Sequence, residues 1–144
     1  MPIPNPNKGE HQSEFMQRCM SDDKMIQEYE VEQRAAICRS SWEEHLAASK
    51  ISFDFDGVLS TKKGFDLAQS LIEQGADVYV ISARNTKDEM LPRTNRLQIP
   101  ESKVYATGSN KAKVEKVKEL NIDIHYDNNP DVIKELNQQG KLFQ

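Results

Sequence analysis

The chain has 144 residues and a mass of 16.5 kDa, which fits one domain with a small appendage because domains usually run to roughly 100–200 residues. No apolar run approaches the roughly 20 residues that cross a bilayer, and Met1–Asn7 lacks a signal-peptide pattern, so we expect a cytoplasmic protein that does not bind membranes. The net charge of −4 excludes a general nucleic-acid coat, which needs clustered Lys and Arg, but not a small basic site.

The N-terminal third differs in charge and pattern from the rest. Residues 1–49 carry 5 basic and 9 acidic side chains, whereas residues 50–144 carry 14 of each. Apolar residues at helical spacing predict two amphipathic helices, about Glu10–Met20 and Glu32–Ala48, joined by a polar link that begins at Ser21. We therefore predict a helical hairpin over residues 1–49 and a second domain over residues 50–144.

Strand-like and helix-like runs alternate after residue 50. The predicted strands are Ile51–Phe55, Asp77–Ile81, Val104–Ala106 and Ile122–Tyr126. The predicted helices are Gly64–Gln74, a run around Thr86–Gln98 that Pro92 should end or kink, Lys111–Leu120, and a last helix opened by Asn129-Pro130-Asp131. This alternation predicts an α/β fold in which helices flank a parallel sheet.

Polar side chains follow every predicted strand. Asp54 and Asp56 follow the first strand, Ser82 the second, Thr107-Gly108-Ser109 the third, and Asp127 with Asp131 the fourth. Ligands of open α/β sheets bind beyond the carboxyl ends of the strands, where these groups should meet. Converging carboxylates repel one another unless a cation neutralises them, and ligation by oxygen alone favours Mg²⁺.

This set of groups suits phosphoryl transfer. One Asp could attack phosphorus to give an aspartyl-phosphate while a second donates and later accepts a proton. Ser82 and Lys111 would hold the phosphoryl oxygens; Lys113 is the competing lysine, and we favour Lys111 because it opens its helix. Ser82 also has a plainer interpretation as a hydroxyl that caps a turn.

The motifs resemble those of the haloacid dehalogenase (HAD) superfamily. Asp54-Phe55-Asp56-Gly57-Val58-Leu59 resembles its first motif, Val80-Ile81-Ser82-Ala83-Arg84 its second, Lys111 its third, and Tyr126-Asp127-Asn128-Asn129-Pro130-Asp131 its acidic fourth. The resemblance covers about residues 50–143 and implies a Rossmann-like, HAD-type sheet. It implies that Asp54 is the nucleophile and a Mg²⁺ ligand, Asp56 the general acid/base that also offers a carbonyl to Mg²⁺, and Asp127 a ligand, with Asp131 orienting the waters of the metal.

The implied activity is Mg²⁺-dependent hydrolysis of a phosphomonoester, and transfer to an acceptor other than water is a further possibility. Two features depart from the family pattern: Asn128 stands where many members have a second acid, and the short linkers leave no room for a large cap domain. Capless HAD phosphatases accept bulky substrates, so a phosphorylated small molecule, a nucleotide or a nucleic-acid end is expected. The helical hairpin over residues 1–49 could instead cover the site.

A second resemblance favours an alternative. The pattern Gly9-Glu10, Glu14-Phe15, Arg18-Cys19-Met20, Gln33-Arg34, Ala36-Ile37-Cys38 and Trp42 resembles a short module of tailed-phage proteins. The alternative function is a catalytically silent phage component whose residues 1–49 bind a head or other virion protein. The location would then be the host cytoplasm or the virion.

Several residues have mainly structural interpretations. Cys19 and Cys38 are interpreted as small packing residues in a reducing cytoplasm, with a disulfide or a Cys₂His₂ zinc site with His11 and His45 as the less favoured alternatives. Trp42 is predicted to pack the hairpin onto the α/β body. His125, inside a strand, is predicted to be structural.

Overall fold

The sheet is built from five parallel strands in the order β3-β2-β1-β4-β5, with helices on both of its faces. The computed structural model describes residues 3–144, so Met1 and Pro2 of the predicted hairpin region lie outside the described residues. The α/β, Rossmann-like class predicted from the sequence is confirmed. The strands are β1 (Lys50–Phe53), β2 (Asp77–Ser82), β3 (Val104–Ala106), β4 (Ile124–Asp127) and β5 (Gly140–Leu142). The helices are α1 (Gln12–Met20), α2 (Asp23–Glu28), α3 (Val31–Ala47), α4 (Lys62–Glu73), α5 (Leu91–Arg96), α6 (Asn110–Glu119) and α7 (Pro130–Leu136).

The register of the central strands determines which side chains share a face. Ile51 of β1 lies opposite Val78 of β2 and Ile124 of β4, so the carboxyl ends of these three strands emerge at one rim. Because side chains alternate along a strand, Ile51 and Phe53 lie on one face, and Ser52 lies on the other.

Each face of the sheet carries its own hydrophobic cluster. The larger one joins the first face to α1, α3 and α4 through buried residues such as Phe15, Trp42, Phe53 and Ala68. The smaller one joins the second face to α6 and α7 through Ile81, Val114, Val117, Ile122, Val132 and Leu136. The N-terminal helices therefore share a core with the α/β body.

Residues 12–47 form three helices where two were predicted. The link predicted to be only polar contains α2, which the side chain of Asp22 caps by accepting hydrogen bonds from the N–H groups of Lys24 and Met25 at 3.0 and 3.1 Å. Met25 is buried, so one apolar side chain fixes this short helix to the core.

The interpretation of the two cysteines as free packing residues is wrong. Cys19 of α1 and Cys38 of α3 are bonded to each other, and both are fully buried. The helical period places each cysteine on the inward face of its helix. It does not determine whether the two helices pack so that these cysteines lie side by side. The bond crosslinks α1 to α3 beside the stacked rings of Phe15 and Trp42, whose centroids are 5.9 Å apart.

The N-terminal helices dock at the amino-end rim of the sheet. Trp42 is buried, as predicted, and its indole N–H donates to the side chain of Gln74 at 3.2 Å, just after the end of α4. Gly75 follows, and a Cβ there would lie 3.9 Å from the side chain of Ala47. Helix α4 ends where β2 begins, so α3 contacts the rim opposite to the carboxyl ends of the strands.

Two elements of the α/β body differ from the sequence prediction. Pro92 was expected to end or kink a helix, but it lies in the first turn of α5, where a missing N–H costs nothing. The fifth strand was not predicted because Gly140–Leu142 is short and half-exposed. Gly140 permits it, since a Cβ there would lie 3.1 Å from the backbone of Ile133.

Loss of the crosslink between α1 and α3 should destabilise the fold. Replacing Cys19 and Cys38 together by Ser should lower the free energy of unfolding by about 2–4 kcal/mol, because the crosslink restricts the unfolded chain. Urea unfolding followed by the fluorescence of Trp42 measures the change. A native protein that unfolds at the same urea concentration with and without reductant would contradict the prediction.

Candidate active site

The candidate site begins where β1 ends. Asp54 follows Phe53 directly, and its backbone N–H donates to the carbonyl of Tyr126 at 2.9 Å, which extends the pairing of β1 with β4 by one residue. Alternation places its side chain on the same face as Ser52, towards α6. Asp54 is buried at 7% exposure, although its ionised form is strongly hydrated in water.

A wide turn follows Asp54. The N–H of Leu59 donates to the carbonyl of Asp54 at 3.2 Å and the N–H of Ser60 to that of Phe55 at 2.9 Å, so both bonds span five residues. Gly57 has a φ of +75° within this turn, and a Cβ there would lie 2.2 Å from the amide nitrogen of Asn128. The positive φ favours glycine here, and any other residue would also displace the side chain of Asn128.

Asp127 ends β4 at the same rim. It is fully buried, and its Oδ1 accepts the backbone N–H of Asn129 at 2.9 Å. Its Oδ2 lies 2.9 Å from Nε2 of His125 and 2.7 Å from Nζ of Lys113. Three donors therefore hold one carboxylate in a single orientation.

Lys113 joins the two buried carboxylates. Its ammonium lies 2.7 Å from Asp127 and 3.3 Å from Oδ1 of Asp54, and its side chain is 3% exposed. Helix α6 carries this lysine across the second face of the sheet, between Ser109, which caps the helix, and the buried Val114 and Val117. Asp54 and Asp127, which lie 73 positions apart in sequence, thus share one cation.

A buried hydrogen-bonded chain lies behind Asp127. The hydroxyl of Ser52 is 2.7 Å from Nδ1 of His125, and His125 and Ser52 are both fully buried. Burial lowers the pKa of His125, so its ring is neutral. In that form Ser52 donates to Nδ1 and Nε2–H donates to Asp127. The predicted structural role of His125 is consistent with these bonds.

The two carboxylates have opposite pKa shifts. Burial first, and the neighbouring charge of Asp127 second, raise the pKa of Asp54 from 3.8 to about 6, against the opposing effect of Lys113. Burial alone would also raise the pKa of Asp127, but hydrogen bonds from His125, Lys113 and Asn129 together lower it. The cluster thus carries one net negative charge once Asp54 ionises.

Asp56 lies in the turn, but its carboxylate pairs with Arg84. The guanidinium donates to both of its oxygens, at 2.7 and 2.8 Å, and also to Glu89 at 2.5 Å. This pairing lowers the pKa of Asp56. The side chains of Arg84 and Asp56 are 32% and 57% exposed, so the pair lies at the solvent-facing side of the turn.

Three other predicted site residues lie apart from this cluster. Ser82 is buried at the end of β2, and its hydroxyl accepts the N–H of Arg84 at 3.1 Å, which matches the plainer interpretation of a turn cap. Asp131 is exposed in the first turn of α7, where its N–H donates to the side chain of Asn129 at 3.0 Å. Lys111 is exposed on α6 and does not contact the carboxylates, whereas Lys113, the competing lysine, contacts both.

The sequence contains signals for two residues that the prediction did not place beside the site carboxylates. His125 stands two positions before Asp127, and a period of two places both on one face of β4. Arg84 follows the end of β2, the strand that neighbours β1, so it emerges beside the turn that holds Asp56. Its bidentate pairing depends on the conformation of that turn, which no local pattern reveals.

The donor set fits a divalent cation only in part. Within residues 3–144 no group of three or more His, Cys, Asp or Glu side chains is placed to hold a metal ion. Asp54 and Asp127 supply two carboxylates with an unbalanced negative charge, and Mg²⁺ commonly binds one or two carboxylates together with waters and substrate phosphate. The side chains of Asp56 and Asp131 do not join this set as they stand.

Comparison with known proteins adds no relative. No protein-family model matches the chain, and no curated protein or solved structure does. Among residues 3–144, none of the helices combines the length and apolar character needed to cross a membrane. The resemblance to the HAD superfamily therefore stays a prediction from sequence motifs.

Replacing Asp54 by Asn should stabilise the protein at neutral pH. Because the pKa of Asp54 is raised, its neutral form stabilises the folded protein below pH 3.8. This stabilisation is lost as the pH rises through about 6. The gain in free energy of unfolding should be on the order of 1–3 kcal/mol above pH 6 and should shrink towards pH 4. Urea unfolding across this pH range measures it; a gain that does not depend on pH would contradict the cause given.

Replacing Lys113 by Met should destabilise the protein strongly, because two buried carboxylates would lose their shared cation. The expected loss is about 3–5 kcal/mol at pH 7, whereas Lys111→Met on the same helix should change stability by no more than about 0.5 kcal/mol. Chemical unfolding of both variants gives the comparison. Equal effects would show that Lys113 is not the lysine that neutralises the cluster.

Proposed function

We propose that the protein is a Mg²⁺-dependent phosphomonoester hydrolase of the HAD type that works through an aspartyl-phosphate. The observation that supports this most is the contact of one buried ammonium, on Lys113, with both Asp54 and Asp127 at the carboxyl ends of adjacent strands. Ligands of parallel α/β sheets bind at this rim. The order of the four sequence motifs gives independent support.

In the first step, a carboxylate oxygen of Asp54 attacks phosphorus and the bond from phosphorus to the ester oxygen breaks. The carboxyl group of Asp56 gives its proton to the departing oxygen. Lys113 keeps its contact with Asp54 and offsets negative charge as the phosphoryl group arrives. Asp54 then carries the phosphoryl group as an acyl phosphate.

In the second step, water attacks the phosphorus of the acyl phosphate. Asp56 takes the proton of that water, the bond between phosphorus and Asp54 breaks, and inorganic phosphate leaves. The pairing with Arg84 lowers the pKa of Asp56, which keeps the carboxylate in the ionised form that this step needs but opposes the acidic step. Asp56 must therefore leave Arg84 before it acts as an acid, and the exposed position of the pair makes that exchange cheap.

The proposed Mg²⁺ would be held by Asp54 and Asp127, with the backbone carbonyl of Asp56 as a third donor. When bound, it supplies positive charge that favours the ionised form of Asp54 and offsets the charge of the phosphate. This matters because burial otherwise raises the pKa of Asp54 to about 6. His125 and Asn129 hold Asp127 in place for this role.

The proposed substrate is a nucleotide or a phosphate at the end of a nucleic acid. The N-terminal helices contact the body at the rim opposite Asp54, through Trp42 and Gln74. This position supports the proposal that the helices do not cover the candidate site. Bulky substrates would then reach the turn after β1. Lys111, exposed on α6 near the same rim, is available to a polyanionic substrate even though it does not contact the carboxylates.

A second candidate function is a catalytically silent scaffold, such as a phage component that binds a virion protein through residues 1–49. The observation that favours it is the pairing of Asp56 with Arg84, which holds the proposed acid/base in a two-pronged ion pair. In this case Lys113 and its carboxylates serve stability alone. The proposed location is the cytoplasm or the virion, and for a phage protein the cytoplasm is that of the host. A Cys19–Cys38 bond persists best outside reducing compartments.

Turnover of phosphomonoesters tests the proposal directly. The purified protein should release phosphate from para-nitrophenyl phosphate or from members of a nucleotide panel in the presence of Mg²⁺, and chelation should abolish the release. Asp54→Asn should lower kcat by at least about 1,000-fold because it removes the attacking oxygen. The matched control is Asp66→Asn on α4, whose carboxylate is exposed and pairs only with Lys62 in the described structure.

Turnover and Mg²⁺ binding separate the two candidate functions, and the stability of the variants shows that the fold is retained. An enzyme should lose activity on Asp54→Asn while its fold becomes more stable at pH 7. Absence of turnover on every substrate, together with no calorimetric signal for Mg²⁺ binding, would reject the hydrolase in favour of the scaffold. Turnover that Asp54→Asn leaves unchanged would reject the proposed mechanism.

A further inference from the structure

A cavity of about 550 Å³ lies between the N-terminal segment and the α/β body, on the side of the sheet away from α6 and α7. Its walls come from residues 8–13, the C-terminal halves of α3 and α4, and the amino ends of β1 and β4. The volume lies within the range of small-molecule sites, roughly 300–1,000 Å³. None of its lining residues belongs to the cluster of Asp54, Lys113 and Asp127.

One wall of the cavity is basic. Lys141 of β5 donates hydrogen bonds to Nε2 of His11, at 3.0 Å, and to the carbonyl oxygen of Gly9, neither of which is a carboxylate. Within residues 3–144, no carboxylate lies within 4 Å of its ammonium. Lys8 and His45 line the same cavity. A half-buried ammonium without a counter-ion favours an anion beside it.

The two lining carboxylates are engaged elsewhere. Glu10 pairs with Arg18 at 2.9 Å, and Asp123 accepts the backbone N–H of Lys50 at 2.8 Å. Neither neutralises Lys141. Burial lowers the pKa of Lys141 against the opposing effect of the Glu14 charge, which forms no ion pair with it within 4 Å.

The floor of the cavity is apolar and aromatic. Ile51 and Ile124 come from the sheet, Leu71 from α4, and Trp42 from α3. Ile51, Leu71 and Trp42 belong to the main core and Ile124 is also buried, so the floor is part of a rigid structure. An apolar floor beside a few convergent polar groups is the usual composition of a site for a small organic ligand.

We propose that this cavity binds a small organic anion, a molecule with an apolar ring or chain and one carboxylate or phosphate group that pairs with Lys141. The apolar body lies against Trp42 and Ile124, and the anionic group lies at the basic wall. This site is separate from the proposed phosphatase site and does not depend on it. It joins residues 8–13 to β5, so its occupant would stabilise the attachment of the N-terminal segment.

Binding of 1-anilinonaphthalene-8-sulfonate, an aromatic anion, tests the proposal on the full chain. Trp42 is the single tryptophan and lines the cavity, so energy transfer from it reports that the dye is bound, and the Lys141 variants locate the binding site. We expect one dye per chain. Lys141→Met should weaken binding by about 10-fold or more, while Lys141→Arg should restore most of it, because the charge is what the anion recognises.

Matched controls exclude binding by apolar attraction alone. Lys134→Met, on the exposed side of α7, should leave the dissociation constant unchanged. The uncharged analogue N-phenyl-1-naphthylamine should bind native protein and Lys141→Met alike. Thermal unfolding of each variant shows that the fold is retained. Asp54→Asn should bind the dye as the native protein does, which separates this test from that of the proposed hydrolase.

Competition identifies the anionic group. Displacement of the dye by benzoate supports a carboxylate ligand, and displacement by phenylphosphonate supports a phosphate ligand. Displacement by neither would overturn the proposal. So would absence of dye binding to native protein, or equal binding by native protein and Lys141→Met.

Discussion

The ammonium of Lys113 between two buried carboxylates is the interaction on which the candidate site depends. Without a cation between them, Asp54 and Asp127 would not both be ionised while buried at one rim, since each charge raises the pKa of the other group. The parallel pairing of β1 with β4 brings the two carboxylates together, and α6 brings the lysine. One negative charge remains unbalanced once Asp54 is ionised, and the proposed Mg²⁺ would offset it.

Much of this rim could be predicted from the sequence. An apolar strand followed by Asp54, and another followed by Asp127, place two carboxylates at the carboxyl edge of a parallel sheet whatever the details of packing. The choice between Lys111 and Lys113 could not be made in the same way. Both positions border the apolar side of α6 defined by Val114 and Val117, and only the contact of α6 with the sheet decides which lysine points inward.

Other features depend on contacts between segments far apart in sequence. The bond between Cys19 and Cys38 requires that α1 and α3 meet at one level, which the helical period does not determine. The pairing of Asp56 with Arg84 requires the conformation of the turn at Gly57. The strand at Gly140 requires the close approach of Ile133. In each case the local pattern allows several arrangements, and packing selects one.

The crosslink between α1 and α3 lies beside a second interaction that holds the N-terminal helices in place. The rings of Phe15 and Trp42 are stacked in the same core, and Trp42 is itself hydrogen-bonded to Gln74. A protein that moves between oxidising and reducing surroundings would lose the sulfur bridge but keep this aromatic pair. The redox state of the surroundings would then change the stability of the N-terminal helices, while the strands that carry the carboxylates keep their alignment.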